Sequence, residues 1–163
     1  MKVAVFSDTH TNTARMVKAV RQTKPDAIIH LGDHQRDTLC LQEEFPEIPL
    51  YCVRGNCDIS SNMPDRAVVQ LGPVKAFLTH GHLYNVTWST DALVYAAMEA
   101  GCNIAMFGHT HVPENTEFGS VKVLNPGTAG KGRNLTYAVV EIFDNGGIAC
   151  EIRDLNNTEG NSL

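Results

Sequence analysis

Long apolar runs are missing from this 163-residue chain, and so is any surplus of positive charge. No stretch has the length and low charge of a membrane-spanning helix. The opening Met1-Lys2-Val3-Ala4-Val5-Phe6 reaches polar Ser7-Asp8 too soon to form the apolar region of a signal peptide. Lys and Arg number 13 against 18 Asp and Glu, for a formal charge of −5. That balance argues against broad nucleic-acid binding, which rests on basic side chains neutralising phosphates. It leaves room for a small phosphate-bearing substrate, because a bound metal supplies positive charge that composition omits. The cysteines (Cys40, Cys52, Cys57, Cys102, Cys150) are odd in number and lack zinc-ribbon spacing. Together with the missing secretion signal, they point to reduced thiols in the cytoplasm. Internal repeats, low-complexity segments and interdomain linkers are also absent.

What is present suits one domain over residues 1–155, followed by a polar tail at 156–163. The hydrophobic content of 43% can fill one substantial core in a chain of this length. Five apolar runs pass abruptly into polar or glycine-containing loops. Val3–Phe6 precedes Ser7-Asp8-Thr9-His10, Ala27–Ile29 precedes His30-Leu31-Gly32-Asp33, and Leu50–Val53 precedes Arg54-Gly55-Asn56-Cys57-Asp58. Ala76–Leu78 leads into Thr79-His80-Gly81-His82, and Ile104–Phe107 into Gly108-His109-Thr110-His111.

Helical spacing of Ala14, Val17, Ala19 and Val20 predicts a helix that Thr11, Asn12 or Thr13 could cap and that Pro25 closes. Further helices are predicted over about 36–45 and 91–100, the latter stopped by Gly101. The alternation favours an α/β domain, with binding groups gathered beyond the carboxyl ends of the strands. After Thr116 the pattern changes to short β segments at 121–124, 135–143 and 147–154, the last two joined at Asn145-Gly146. A hairpin is predicted from 67–71 to 75–79 through Gly72-Pro73, so mixed β-sheets flanked by helices are expected.

Asp8 and His10 are separated by one residue, and His109 and His111 repeat that spacing. In an extended segment such side chains point to one side. Either pair alone has a bland account: Asp8 as a turn cap, a histidine as a surface or hydrogen-bonded group. The conjunction with Asp33, Asn56 and His80, each just past a predicted strand end, favours metal binding. Carboxylate oxygen, amide oxygen and imidazole nitrogen suit manganese, iron, zinc or nickel better than a thiolate-selective metal.

These blocks, D-x-H, G-D, G-N-C-D, T-H-G-H and G-H-T-H in order, resemble the calcineurin-like metallophosphoesterase superfamily. The likeness covers Asp8 to His111 and extends to Asn125-Pro126-Gly127. It is closest to the small single-domain microbial phosphodiesterases. The resemblance implies a sandwich fold and two divalent ions, manganese first, with nickel, zinc, iron or magnesium as alternatives. It implies that Asp8, His10, Asp33 and His111 surround one ion and Asp33, Asn56, His80 and His109 the other. Asp33 would bridge them, a shared hydroxide would attack a small phosphoester, and Asp33, Asn56 and His80 would be the catalytic residues. Two cations about 3.5–4 Å apart lower the pKa of a shared water and polarise the phosphoryl oxygens.

Cys57 stands where many relatives carry a histidine thought to protonate the leaving alkoxide. A thiol is a poorer acid near neutrality, so Cys57 reads as a small wall residue beside the site. His82 reads equally as a phosphate contact or a bystander. His30 and His34 read as structural or exposed, and Arg54, Lys131 and Arg133 as loop cations. Asp58 reads first as a turn cap or brace. Diesters are favoured over monoesters because no dense basic cluster is visible. The alternatives are a phosphomonoesterase and a catalytically silent protein-interaction scaffold, as in the related retromer subunit; fold alone does not separate enzyme from scaffold. A homo-oligomer is compatible with the sequence.

Overall fold

The computed structural model describes residues 1–130 and 132–156. Lys131, named above as a loop cation, and all of the polar tail beyond 156 lie outside them. Strand β1 (Lys2–Phe6) is apolar at consecutive positions, with no polar alternation, because both its faces are covered; Val3 through Phe6 are fully buried. It pairs in parallel with β2 (Ala27–His30), and β2 with β3 (Leu50–Cys52). On its other side β1 meets β9 (Thr136–Ile142) antiparallel, and β9 pairs with β10 (Ile148–Asp154).

A second five-stranded sheet has the order β4 (Arg66–Leu71), β5 (Val74–Thr79), β6 (Ile104–Met106), β8 (Val121–Asn125), β7 (Glu114–Phe118). Its middle strands β5, β6 and β8 are parallel, while β4 and β7 form antiparallel edges. Val3, Val5 and Ile29 of one sheet meet Leu78, Met106 and Leu124 of the other in a common core. The outer face of the first sheet packs Phe6 and Ile28 against Met16, Ala19 and Val20 of α1 (Thr13–Thr23) and Leu41 of α2 (Leu39–Glu44). Phe77, Ala105 and Val123 of the second sheet pack on Leu93, Val94 and Ala97 of α3 (Asp91–Glu99). The result is the expected α/β sandwich of mixed sheets flanked by helices.

Two local expectations need correction, and one strand was not expected. No side chain caps α1: Thr11 N–H donates to Asp37 and the Asn12 amide to the carbonyl of Ala129, so both residues serve the adjoining loop. The helix predicted over 36–45 divides into a tight turn at Gln35–Thr38 and α2, with the Thr38 hydroxyl donating back to Gln35 O. Strand β7 carries no apolar alternation because nearly all of it is exposed at a sheet edge, and only its ladder with β8 defines it. Among the described residues no helix is long and apolar enough to cross a membrane. All five cysteines are free thiols.

Candidate metal centre

The carboxyl ends of β1, β2, β5 and β6 bring their following loops to one place. Backbone bonds from Asp8 N to Gly32 O (3.0 Å) and from Gly108 N to His80 O (3.0 Å) tie the loops in pairs within each sheet. The loop after β8 closes over them. Ala129 N donates to Ser7 O, and the Thr128 hydroxyl and Gly130 N donate to Asp8 O. Asn125 holds Gly108 O and the Thr110 hydroxyl through its amide, both at 3.0 Å. At Gly130 a Cβ would lie 1.6 Å from Thr9 O, so no larger residue fits that approach.

The D-x-H and H-x-H segments are not extended, contrary to the sequence expectation. Asp8, His10, Asp33, His109 and His111 have φ of 55, 42, 57, 70 and 60°, each left-handed. Such residues cost roughly 1–3 kcal/mol each and persist where surrounding contacts dictate them. Left-handed turns, rather than strand pleating, aim these side chains.

Two groups of donor atoms result, each with its atoms within 4.8 Å of one another: Asp8, His10 and His111, and Asp8, Asp33 and His80. Asp8 Oδ1 lies 3.1 Å from His111 Nε2 and 3.9 Å from His80 Nε2, while Asp33 Oδ1 is 3.5 Å from His80 Nε2. Donors at about 2.0–2.2 Å from a common ion stand roughly 3–3.5 Å apart, so these spacings fit a divalent cation with small adjustments. His80 donates from Nδ1 to Leu31 O (2.8 Å), which leaves a lone pair on Nε2. That Nε2 and His10 Nε2 are buried without a hydrogen-bond partner, a costly state that a coordinated ion relieves.

Asp8, with a wholly buried side chain, receives the Ser7 hydroxyl (2.6 Å) and His109 N–H (3.2 Å) on Oδ2, which leaves Oδ1 facing the histidines. Burial works to raise the Asp33 pKa, but the Cys57 N–H at 2.8 Å and nearby His80 bring it below the ordinary carboxylate value. Burial, reinforced by neighbouring histidines, lowers the pKa of His10, His82 and His109, favouring the neutral ligand form.

The remaining candidates, including the expected ligands Asn56 and His109, stand outside both donor groups. The His109 ring lies 5.2 Å from that of His80, and the His82 ring 5.5 Å from His80. Asn56 is exposed, its amide nitrogen 3.5 Å from Cys57 Sγ. The Cys57 thiol hydrogen-bonds Asp33, which with burial pushes its pKa up to about 11. Arg54 is paired with Asp65 at 2.6 Å and is not an unpaired charge. Asp58 accepts Gln35 N–H (3.0 Å) and Gly55 N–H (2.9 Å), bracing the loops that carry Asp33 and Asn56. His34 stacks edge-on to His10 at 4.8 Å, and His30 is fully buried. The sequence reading missed Thr9, which bonds both His30 and Asp37; its only signal was its position between two ligands.

This fold and donor set define a metal-dependent hydrolase class, and comparison with known proteins agrees. Residues 1–145 match the model of the calcineurin-like phosphoesterase superfamily domain, and the chain belongs to that family. It is 30% identical over 139 residues to a probable metallophosphoesterase of Mycoplasma genitalium, covering 83% of this chain and 82% of that protein. It is 27% identical over 147 residues to a Methanocaldococcus jannaschii protein named a phosphodiesterase, covering 78% and 83%. A crystal structure of a Streptococcus pneumoniae protein described as a predicted phosphoesterase superposes with TM-score 0.80 at 32% identity, covering 95% of this chain and 90% of that one. The family implies divalent metal ions.

Proposed function

We propose that the chain is a phosphodiesterase with a dinuclear metal centre in which Asp33 bridges the ions. Asp8, His10 and His111 complete one position, and Asn56, His80 and His109 the other. The observation that carries the two-ion reading is the pair of donor groups, each with a buried imidazole Nε2 that has no hydrogen-bond partner; Asp8 is common to both, while the bridging role of Asp33, which stands in one of them, follows the family resemblance. Asp8 Oδ1, lying between His111 and His80, is placed to serve both positions itself.

Divalent ions, when bound, lower the pKa of a shared water and polarise the phosphoryl oxygens for in-line attack. The chain's own groups set the geometry. Asp33 is held by the Cys57 N–H, His80 is aimed by its bond to Leu31 O, and His82 stands beside both His80 and His109 to meet a phosphoryl oxygen. Arg54, paired with Asp65, is not free to offset a monoester's second charge on the phosphoryl group at the centre, which favours the singly charged diester there. The Methanocaldococcus jannaschii relative's name points the same way. A nitrogen and oxygen donor set suits manganese, and free thiols suit the cytoplasm.

The test is metal removal followed by reconstitution. Chelated protein should not hydrolyse bis(4-nitrophenyl) phosphate, and Mn(II) should restore turnover in preference to that of 4-nitrophenyl phosphate. A demonstrably metal-free sample that still turned over would contradict the mechanism.

A further inference from the structure

A cavity of about 260 Å³ opens beside the donor groups, walled on one side by His34, Gln35 and Arg36 and on the other by Cys57 and residues 58–61. None of the donor residues lines it, but two of its walls touch them. His34 stacks on His10, and Cys57 holds Asp33 through its backbone N–H. Its volume lies just below the roughly 300–1,000 Å³ typical of small-molecule clefts, so it suits one ester substituent rather than a polymer.

The walls are built in advance. Asp58 joins them by accepting Gln35 N–H with one carboxylate oxygen and Gly55 N–H with the other. Ser61 N donates to Asp58 O, and the Ser61 hydroxyl accepts Met63 N–H. The acid is thereby occupied by the backbone. Arg36 is different: it is exposed and forms no ion pair among the described residues. In a chain of net charge −5, a guanidinium on the wall of a cavity beside the donor groups is suited to contact an anion. The Ser60 hydroxyl and Gln35 amide offer further hydrogen-bonding groups.

We infer that this cavity seats one organic substituent of the phosphoester, and that it selects a hydroxylated group bearing a second anionic function, contacted by Arg36. The inference rests on the phosphoesterase reading, since the first phosphoryl group must lie at the metal centre. It narrows the substrate class to diesters in which one substituent is a small polyol or sugar bearing a further negative group, and phosphomonoesters of that substituent are the corresponding products, usable as non-turnover ligands.

Calorimetry on Mn(II)-loaded protein with methyl phosphate, ribose 5-phosphate and ribose 1,5-bisphosphate tests this without relying on turnover. The bisphosphate should bind about 10- to 100-fold more tightly than ribose 5-phosphate, the range of a hydrogen bond to a charged partner. Arg36→Ala should abolish that ratio and Arg36→Lys retain part of it. Ser60→Trp, which fills the cavity, should weaken both ribose ligands relative to methyl phosphate. Equal binding of the two ribose esters, an advantage surviving Arg36→Ala, or no binding of either overturns the proposal. Hydrolysis of methyl 4-nitrophenyl phosphate by the same wild-type sample tests the phosphoesterase reading separately.

Discussion

The imidazole Nε2 of His30 lies 3.2 Å from the hydroxyl of Thr9, the residue between Asp8 and His10. Gly32 N–H points at Nδ1 of the same ring (3.2 Å), so Nδ1 accepts and Nε2 carries the proton. The Thr9 hydroxyl donates its own hydrogen bond to Asp37 at 2.7 Å. One buried neutral ring thus supports the backbone before Asp33 and the loop bearing Asp8 and His10.

A pH-dependent stability follows. Burial depresses the His30 pKa from 6.5 to about 4, so the unfolded chain binds more protons between those values. Stability is full above about 6.5 and declines as pH falls towards 4. This group contributes a loss of about 2 kcal/mol between pH 7 and pH 5. His10, His82 and His109 also contribute a loss of stability as pH falls, so in urea unfolding at both pH values the drop should be smaller in His30→Gln than in wild type by about that increment. Identical pH dependence in the two proteins would remove His30 as its source.

Loss of Asp8, common to both donor groups, or of Asp33, in one of them, should disable the site. Asp33→Asn and Asp8→Asn both keep a residue tolerant of the left-handed backbone seen at φ 57 and 55°, so the fold should survive. Each should lower diester turnover by at least about a hundredfold, equivalent to about 3 kcal/mol of transition-state stabilisation. Elemental analysis should show reduced metal content. Near-normal turnover at unchanged metal content in Asp33→Asn would rule out its bridging role.

Asp58 offers a subtler test. Its two carboxylate oxygens each take a backbone N–H, and asparagine keeps only one acceptor oxygen. Asp58→Asn should therefore weaken metal binding by about 10- to 100-fold, the usual effect of losing a group that orients ligands, while circular dichroism stays native. Unchanged metal affinity would reduce Asp58 to a local turn cap.

These residues differ in how plainly the sequence announces them. The strand ends were legible because Val3–Phe6, Ala27–Ile29, Ala76–Leu78 and Ile104–Phe107 are unbroken apolar runs with polar or glycine residues soon after them. The ligand turns were not, because a left-handed φ at aspartate or histidine leaves no compositional mark. The service of Asp8 to both donor groups depends on which oxygen faces which ring, a matter of side-chain geometry. Thr9, His30 and Asp37 come together only when β1 and β2 pair, and β7 only when β8 supplies its ladder.

Cys57 decides how the leaving group departs. Its thiol is hydrogen-bonded to Asp33 and its pKa is pushed up to about 11, so at neutral pH it stays protonated and gives up its proton reluctantly. It is also exposed, at the edge of the cavity beside the centre. An aryl diester, whose leaving group is already a stable anion, needs no acid; Cys57→Ala should keep most of that activity. Alkyl esters expel a basic oxygen and gain from a proton donor, an effect typically worth about 100- to 10,000-fold. Cys57→His should therefore raise alkyl-ester turnover selectively, by less than that range where the ring is imperfectly placed. Both substrate classes, measured for wild type and the two variants at matched metal occupancy, separate the roles. If aryl-diester turnover collapses in Cys57→Ala while the metals remain bound, the thiol takes part directly, and its reading as a wall residue fails.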